Sequence, residues 1–90
     1  MFDRQSVRDH LARLIAQAMY MEENELVETE LFSNFGLESL TLAKIVTKIN
    51  QEYHVSIQPR DVLKHQTLRD ASEFVFQELS RQHGQSGGTP

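Results

Sequence analysis

Apolar residues recur at helical spacing in three stretches of this 90-residue chain, and that periodicity confines it to a bundle of helices. Val7, Leu11, Leu14, Ile15 and Ala18 form the first stripe, with Arg8, Asp9, Arg13 and Gln17 falling largely off it. Leu42, Ile45, Val46, Ile49 and Tyr53 form the second, and Leu68, Ala71, Phe74, Val75 and Leu79 the third. Ser6 followed by Asp9, and Thr67 followed by Asp70, are variants of the capping box that opens a helix. The spacing predicts helices from Ser6 to Met19 or Tyr20, from Ser39 to Tyr53, and from Thr67 onward. Pro59 suits the first turn of a short helix over Pro59 to Lys64. Val55-Ser56-Ile57 alternates as a strand does, but a segment this short with no pairing partner supports no sheet, so it reads as an extended connector.

The expected fold class is therefore all-α: a small bundle of three main helices and one short helix, with a long first loop. That loop covers residues 21–35 and is too long to stand free of the core. Leu26, Val27, Leu31, Phe32 and Phe35 are the apolar residues expected to pin it, with a helical turn near Leu31 to Asn34. Ninety residues make one domain, expected over residues 1–81. From Gln82 the composition turns to Gln, His, Gly, Ser, Thr and Pro, the signature of a flexible tail over residues 82–90.

Composition removes several classes of function. The chain has no cysteine, so it has no disulfide, no thiolate metal site and no cysteine nucleophile. Any thiol chemistry has to come from a bound group. The formal net charge of −4 argues against a nucleic-acid-binding face and suits partners with basic surfaces. Glu22, Glu23, Glu25, Glu28, Glu30 and Glu38 crowd the approach to the second helix, whereas Lys44 and Lys48 follow inside it. The opening residues lack the apolar core of a signal peptide and no segment is long enough to cross a bilayer, so the expected location is cytoplasmic, with no membrane partner. His10, His54, His65 and His83 show no metal-ligand spacing and read as solvated or partly packed residues; no metal is expected.

The junction Phe35-Gly36-Leu37-Glu38-Ser39-Leu40 concentrates the functional signal. Ser39 stands where the loop ends and the second helix begins, exposed and near the positive end of a helix dipole. Its ordinary role there is to cap the helix; its functional role is to anchor a phosphate-linked group. Glu38 is a favourable charge at a helix start. Leu40, Ala43 and Lys44 lie off the buried stripe in the first turns after Ser39, as ordinary helix surface or as a docking face. Leu37 reads as a core residue that closes the loop. The run is not the G-x-S-x-G nucleophile elbow, because Thr41 stands where the second glycine would be. A hydrolase built on Ser39 needs a histidine brought to it by the fold.

From Val7 to Leu79 the chain resembles the acyl and peptidyl carrier protein family. The run from Leu26 to Leu40 is similar to the family's approach to its Gly-Leu-Asp-Ser-Leu motif, with Glu38 in place of the usual Asp. Ile49 to Ile57 is similar to the family's helix end and apolar turn, and Thr67-Leu68-Arg69-Asp70-Ala71 to the opening of its last helix. The resemblance implies a phosphopantetheinyl transferase that moves 4'-phosphopantetheine from coenzyme A to Ser39. It implies a non-catalytic carrier whose arm presents thioesters to an acyltransferase, a ketosynthase or other synthase enzymes. Glu38, Leu40, Ala43 and Lys44 become the residues that the transferase or partners recognise, with Glu38 helping to position the transferase's metal and donor phosphate. Leu37, where a peptidyl carrier more often has a second glycine, points to an acyl carrier. Lys44 and Lys48, in place of a strongly acidic second helix, point to a modular polyketide or mixed polyketide–peptide assembly line, with a monomer as the isolated domain. The alternatives are a carrier for fatty-acid or nonribosomal peptide synthesis, or an unmodified helical interaction domain of carrier ancestry.

Overall fold

The computed structural model describes residues 2–83. Four helices form, α1 over Arg4–Met19, α2 over Ser39–Tyr53, α3 over Pro59–Val62 and α4 over Leu68–His83. The loop between α1 and α2 carries two 3₁₀ turns, Glu23–Glu25 and Phe32–Phe35. The three-plus-one bundle and the long first loop expected from the apolar spacing are what form, and the helical turn expected near Leu31 is the second 3₁₀ turn.

α1 starts one turn earlier than the Ser6 signal implied. Asp3 is the cap: its carboxylate accepts the Ser6 N–H at 2.8 Å, and Ser6 Oγ accepts the Asp3 N–H at 3.0 Å. Ser6 is thus the last residue of the capping box, at N3, and not its first. The earlier start brings Phe2 onto the bundle, where its ring meets Tyr53 and Phe76 edge-on at centroid distances of 6.0 and 5.9 Å. At the other end Tyr20 takes the left-handed conformation, φ 57°, and leaves its ring 97% exposed. α2 ends the same way on His54, φ 56°. α4 opens as expected, with Thr67 Oγ1 accepting the Asp70 N–H at 3.2 Å. α3 stops at Val62, two residues short of the Lys64 end expected.

α1 lies antiparallel to both long partners. His10 meets Tyr53 near one end of α2, and Gln17 and Ala18 face Thr41 near the other. Arg4 pairs with Glu73 of α4, while Arg8 and Asp70 share a cleft further along. The core fills the space between: Val7, Leu11 and Ile15 of α1, Leu42 and Ile49 of α2, Val62 of α3, and Val75 and Leu79 of α4 are fully buried. Three expected core positions differ. Ala18 is exposed, because it stands at the end of α1 beside an open cleft, whereas Ala16 is buried and its carbonyl accepts the Met21 N–H at 3.0 Å. Tyr53 and Phe74 are half-buried. In the loop, Phe32 is buried and Leu26 and Phe35 pack partly on the core, while Val27 and Leu31 stay exposed.

The connector at Val55-Ser56-Ile57 is extended and pairs with no strand. Side-chain amides stand in for the missing one. Asn50 of α2 donates to the Ile57 carbonyl at 3.0 Å and accepts the Ile57 N–H at 2.9 Å. Gln82 of α4 does the same for Ser56, at 3.0 and 2.8 Å. Gln82 and His83 therefore belong to α4, not to the tail that composition assigned from residue 82; the rest of that tail lies outside the described residues. His83 Nε2 lies 2.6 Å from the Tyr53 carbonyl.

Two predictions follow from these contacts. Asn50→Ala strands the N–H and carbonyl of a buried residue, so a loss of about 1–3 kcal/mol is expected in urea unfolding, and Gln82→Ala, at the exposed Ser56, should cost less. The second concerns acid. The Arg4 guanidinium, followed by the Gln77 amide, holds the Glu73 carboxyl below its ordinary value of 4.5, and Arg81 lowers Glu78 likewise. A depressed carboxylate stabilises the fold above its unfolded pKa and loses that contribution as pH falls through the folded one. The thermal midpoint should therefore decline as pH falls below 4.5, and Glu73→Gln should flatten part of that slope in melts followed by circular dichroism.

Candidate functional site

The loop reaches α2 through one left-handed residue between two buried ones. Phe32, 6% exposed, closes the second 3₁₀ turn onto the core, and Leu37, 7% exposed, returns to it. Gly36 between them has φ 83°, the left-handed region where a β-carbon is strained, and its N–H caps the turn on Phe32 and Ser33. The Leu37 N–H also bonds the Phe32 carbonyl at 3.1 Å. The start of α4 ties the loop down from the side. The Phe32 N–H donates to the Gln66 carbonyl at 2.7 Å, and the Arg69 N–H to the Glu28 carbonyl at 2.9 Å.

With Leu37 and Leu42 both buried, the residues between them face outward in the only way one helical turn permits. Glu38 takes the extended cap position, with no hydrogen bond from its side chain to the helix. Ser39 is the first helical residue, and it is exposed. Its hydroxyl makes no hydrogen bond to a described residue, so it does not cap α2. The first backbone bond of α2 runs from the Leu42 N–H to the Glu38 carbonyl at 2.9 Å. The N–H groups of Ser39, Leu40 and Thr41 therefore precede the ladder and point toward the solvent end of the helix. A phosphate ester on Ser39 Oγ fits this position: the oxygen is open, and unpaired N–H groups and the helix dipole favour its charge.

The other anticipated residues gather around that oxygen. Leu40 is 70% exposed and shares a face with Lys44 one turn on. Ala43 is half-buried, and its carbonyl accepts the Thr47 hydroxyl at 3.1 Å. The histidines go elsewhere. His10 lies 2.9 Å from the Tyr53 hydroxyl and 2.7 Å from Glu52, and His83 and His54 sit at that same end of α2. That end is about 20 Å along the helix from Ser39. His65 stacks on Phe74 with centroids 4.9 Å apart. No histidine is hydrogen-bonded to Ser39. Among the described residues no cluster of histidine and carboxylate side chains could hold a metal. None of the helices described is long and apolar enough to cross a membrane.

One feature escaped the reading of the sequence. A cleft of about 230 Å³ opens between α1 and α2, with Leu14, Ala18, Lys44, Ile45 and Lys48 among its lining residues. The two lysines at i and i+4 are visible in the sequence, but that they border α1 is not.

The small helical bundle, with an exposed serine at the start of its second main helix, fits the carrier-domain resemblance of the sequence. Comparison with known proteins agrees. The family profile described as "Phosphopantetheine attachment site" matches residues 9–75. The polyketide synthase PksL of Bacillus subtilis (strain 168) is 32% identical over 81 residues, which cover 90% of this chain and 2% of PksL. The acyl carrier protein of Cyanophora paradoxa is 22% identical over 91% of this chain and 81% of its own. The NMR structure of the HMG-ACPI domain from the CurA module of Lyngbya majuscula superimposes with a TM-score of 0.76 at 30% identity, over 90% of this chain and 82% of that one. The chain belongs to the phosphopantetheine attachment-site family of acyl carriers, whose members bear covalently attached 4'-phosphopantetheine.

Gly36→Ala tests the turn that exposes Ser39. An added β-carbon would meet only Met19 Cε, at an ordinary 3.8 Å, so the cost is conformational. A destabilisation of about 1–2 kcal/mol is expected, read from the urea midpoint.

Proposed function

We propose that Ser39 is the residue that bears the phosphopantetheine group and that this carrier serves polyketide synthesis. The observation that carries the first part is the bare, exposed hydroxyl on the first residue of α2, inside the matched family region. Support for the second is the likeness to PksL, a polyketide synthase of which this chain spans about 2%, and to the HMG-ACPI domain.

In this reading a separate phosphopantetheinyl transferase binds the start of α2. Ser39 Oγ gives up its proton to the transferase as its bond to phosphorus forms, and the nucleotide part of coenzyme A departs. The first-turn N–H groups then face the phosphate charge. Once attached, the arm supplies a terminal thiol that carries acyl groups as thioesters. Glu38, whose carboxylate is not spent on capping, is left to meet the transferase. Leu40, Ala43 and Lys44 form the contact face for the transferase and for acyltransferase, ketosynthase or other synthase enzymes. The chain itself makes no bonds in the acyl chemistry; it raises the effective concentration of the tethered group at partner sites. The domain runs through the end of α4 at His83, acts as a monomer when isolated, and works in the cytoplasm.

Intact-mass measurement after incubation with coenzyme A and a broad-specificity transferase tests the assignment. The wild type should gain one phosphopantetheine and Ser39→Ala none, with unchanged circular dichroism. An unmodified wild type, or an equal gain in Ser39→Ala, would overturn it.

A further inference from the structure

We propose that Tyr20 is a docking residue for the phosphopantetheinyl transferase and takes a cationic side chain of that enzyme over its ring. This rests on the attachment reading above and deepens it by naming a recognition residue outside α2.

The Tyr20 side chain adds almost nothing to its own fold. It is 97% exposed, so it buries next to no apolar surface. Its backbone is left-handed, φ 57°, at the cap of α1, a place that favours glycine or asparagine because a bulky side chain strains it. The cap is closed by backbone groups alone. The Tyr20 N–H donates to the Gln17 carbonyl at 3.4 Å, and the Met21 N–H to the Ala16 carbonyl at 3.0 Å. Glycine at position 20 would keep both bonds. His54 has the same conformation at the end of α2, φ 56°, but histidine is among the residues enriched there. A fully exposed aromatic ring at a strained position points to a contact outside the chain.

That contact lies at the Ser39 pole. Gln17 and Ala18 line one cleft with Thr41, and Met19 Cε comes within 3.8 Å of where a Gly36 β-carbon would stand. Packed helices lie about 8–10 Å apart, and Tyr20 and Ser39 each stand two residues beyond the facing pair, which puts them about 10–15 Å from one another. A flexible arm lets synthase enzymes dock at a distance, but the transferase has to bring its own active site to the bare Ser39 oxygen. An ordinary interface covers about 800 Å² of each partner, a patch about 16 Å in radius. Centred on Ser39, that patch takes in Tyr20. This reach favours the transferase over the synthase enzymes as the occupant.

Charge sets the chemistry of the partner's side. Glu22, Glu23 and Glu25 follow Tyr20 closely and are exposed, and Glu38 is exposed beside Ser39. Arg13, 3.9 Å from Glu23, answers one of them. Glu22, Glu25 and Glu38 form no ion pair with a described residue. A basic face is drawn to this edge of the molecule. A guanidinium laid over the phenol ring meets the negative face of the ring and the carboxylates beside it at once.

The test follows phosphopantetheine transfer to the full-length chain by intact mass, with the broad-specificity transferase and the carrier concentration varied. Tyr20→Gly should lower kcat/KM about fivefold to thirtyfold, the span from an interface contact to a hot spot, through a raised KM with kcat held. Its urea midpoint should rise, because the strain at position 20 is relieved. Tyr20→Phe keeps the ring and should stay within about twofold of the wild type. Tyr20→Gly loading at the wild-type rate, a loss confined to kcat, a lower urea midpoint in Tyr20→Gly, or a Tyr20→Phe as slow as Tyr20→Gly would each overturn the proposal. A wild type that gains no mass would instead overturn the attachment at Ser39, and the docking role with it.

Discussion

Burial of Phe32 and Leu37 on either side of Gly36 holds the Ser39 hydroxyl in solvent, and the arrangement of that end of the molecule depends on it. Each of these side chains is worth about 1.5–3 kcal/mol when withdrawn from water. Together they anchor a loop whose other large apolar residues are half-buried or exposed. Because both anchors must reach the core, the chain between them has to turn sharply, and only a residue at positive φ makes that turn. The next buried residue is Leu42, one turn into α2. Everything between Leu37 and Leu42 is thereby turned outward, the serine included.

The rest of the bundle gives that end a rigid base. α1 spans the length of the domain against α2 and α4, and its early start lets Phe2 close the end remote from Ser39 over Tyr53 and Phe76. Three of the four histidines, His10, His54 and His83, collect at that remote end. The two poles therefore differ in kind: one is packed and bonded, the other presents an alcohol with no partner, free N–H groups and an exposed Leu40. Under the proposed attachment at Ser39 this asymmetry suits a carrier, whose attachment oxygen has to be open to partner enzymes while the fold beneath stays constant.

Backbone satisfaction explains the one segment that resembles a strand. Ser56 and Ile57 need partners for four backbone groups, and two side-chain amides from different helices supply them. Asn50 sits on α2 seven residues upstream, so the need it meets is nearly local. Gln82 comes from 26 residues downstream. By composition that glutamine belongs with the tail that follows it, and only the approach of α4 to the connector gives it a structural task.

The helices, their order, the buried stripe of α2 and the exposure of Ser39 were all determined by the sequence alone. Spacing of apolar residues and capping chemistry act within a few residues, and such interactions are readable along one dimension. What the tertiary structure decided are the matters that need two elements at once. These are the burial of Ala16 in place of Ala18, the cap at Asp3 that brings Phe2 to α4, the amide of Gln82 on the connector, and the cleft that sets Lys44 and Lys48 beside α1. Each depends on how closely two helices approach along their lengths, which packing of the whole core sets and no local pattern records.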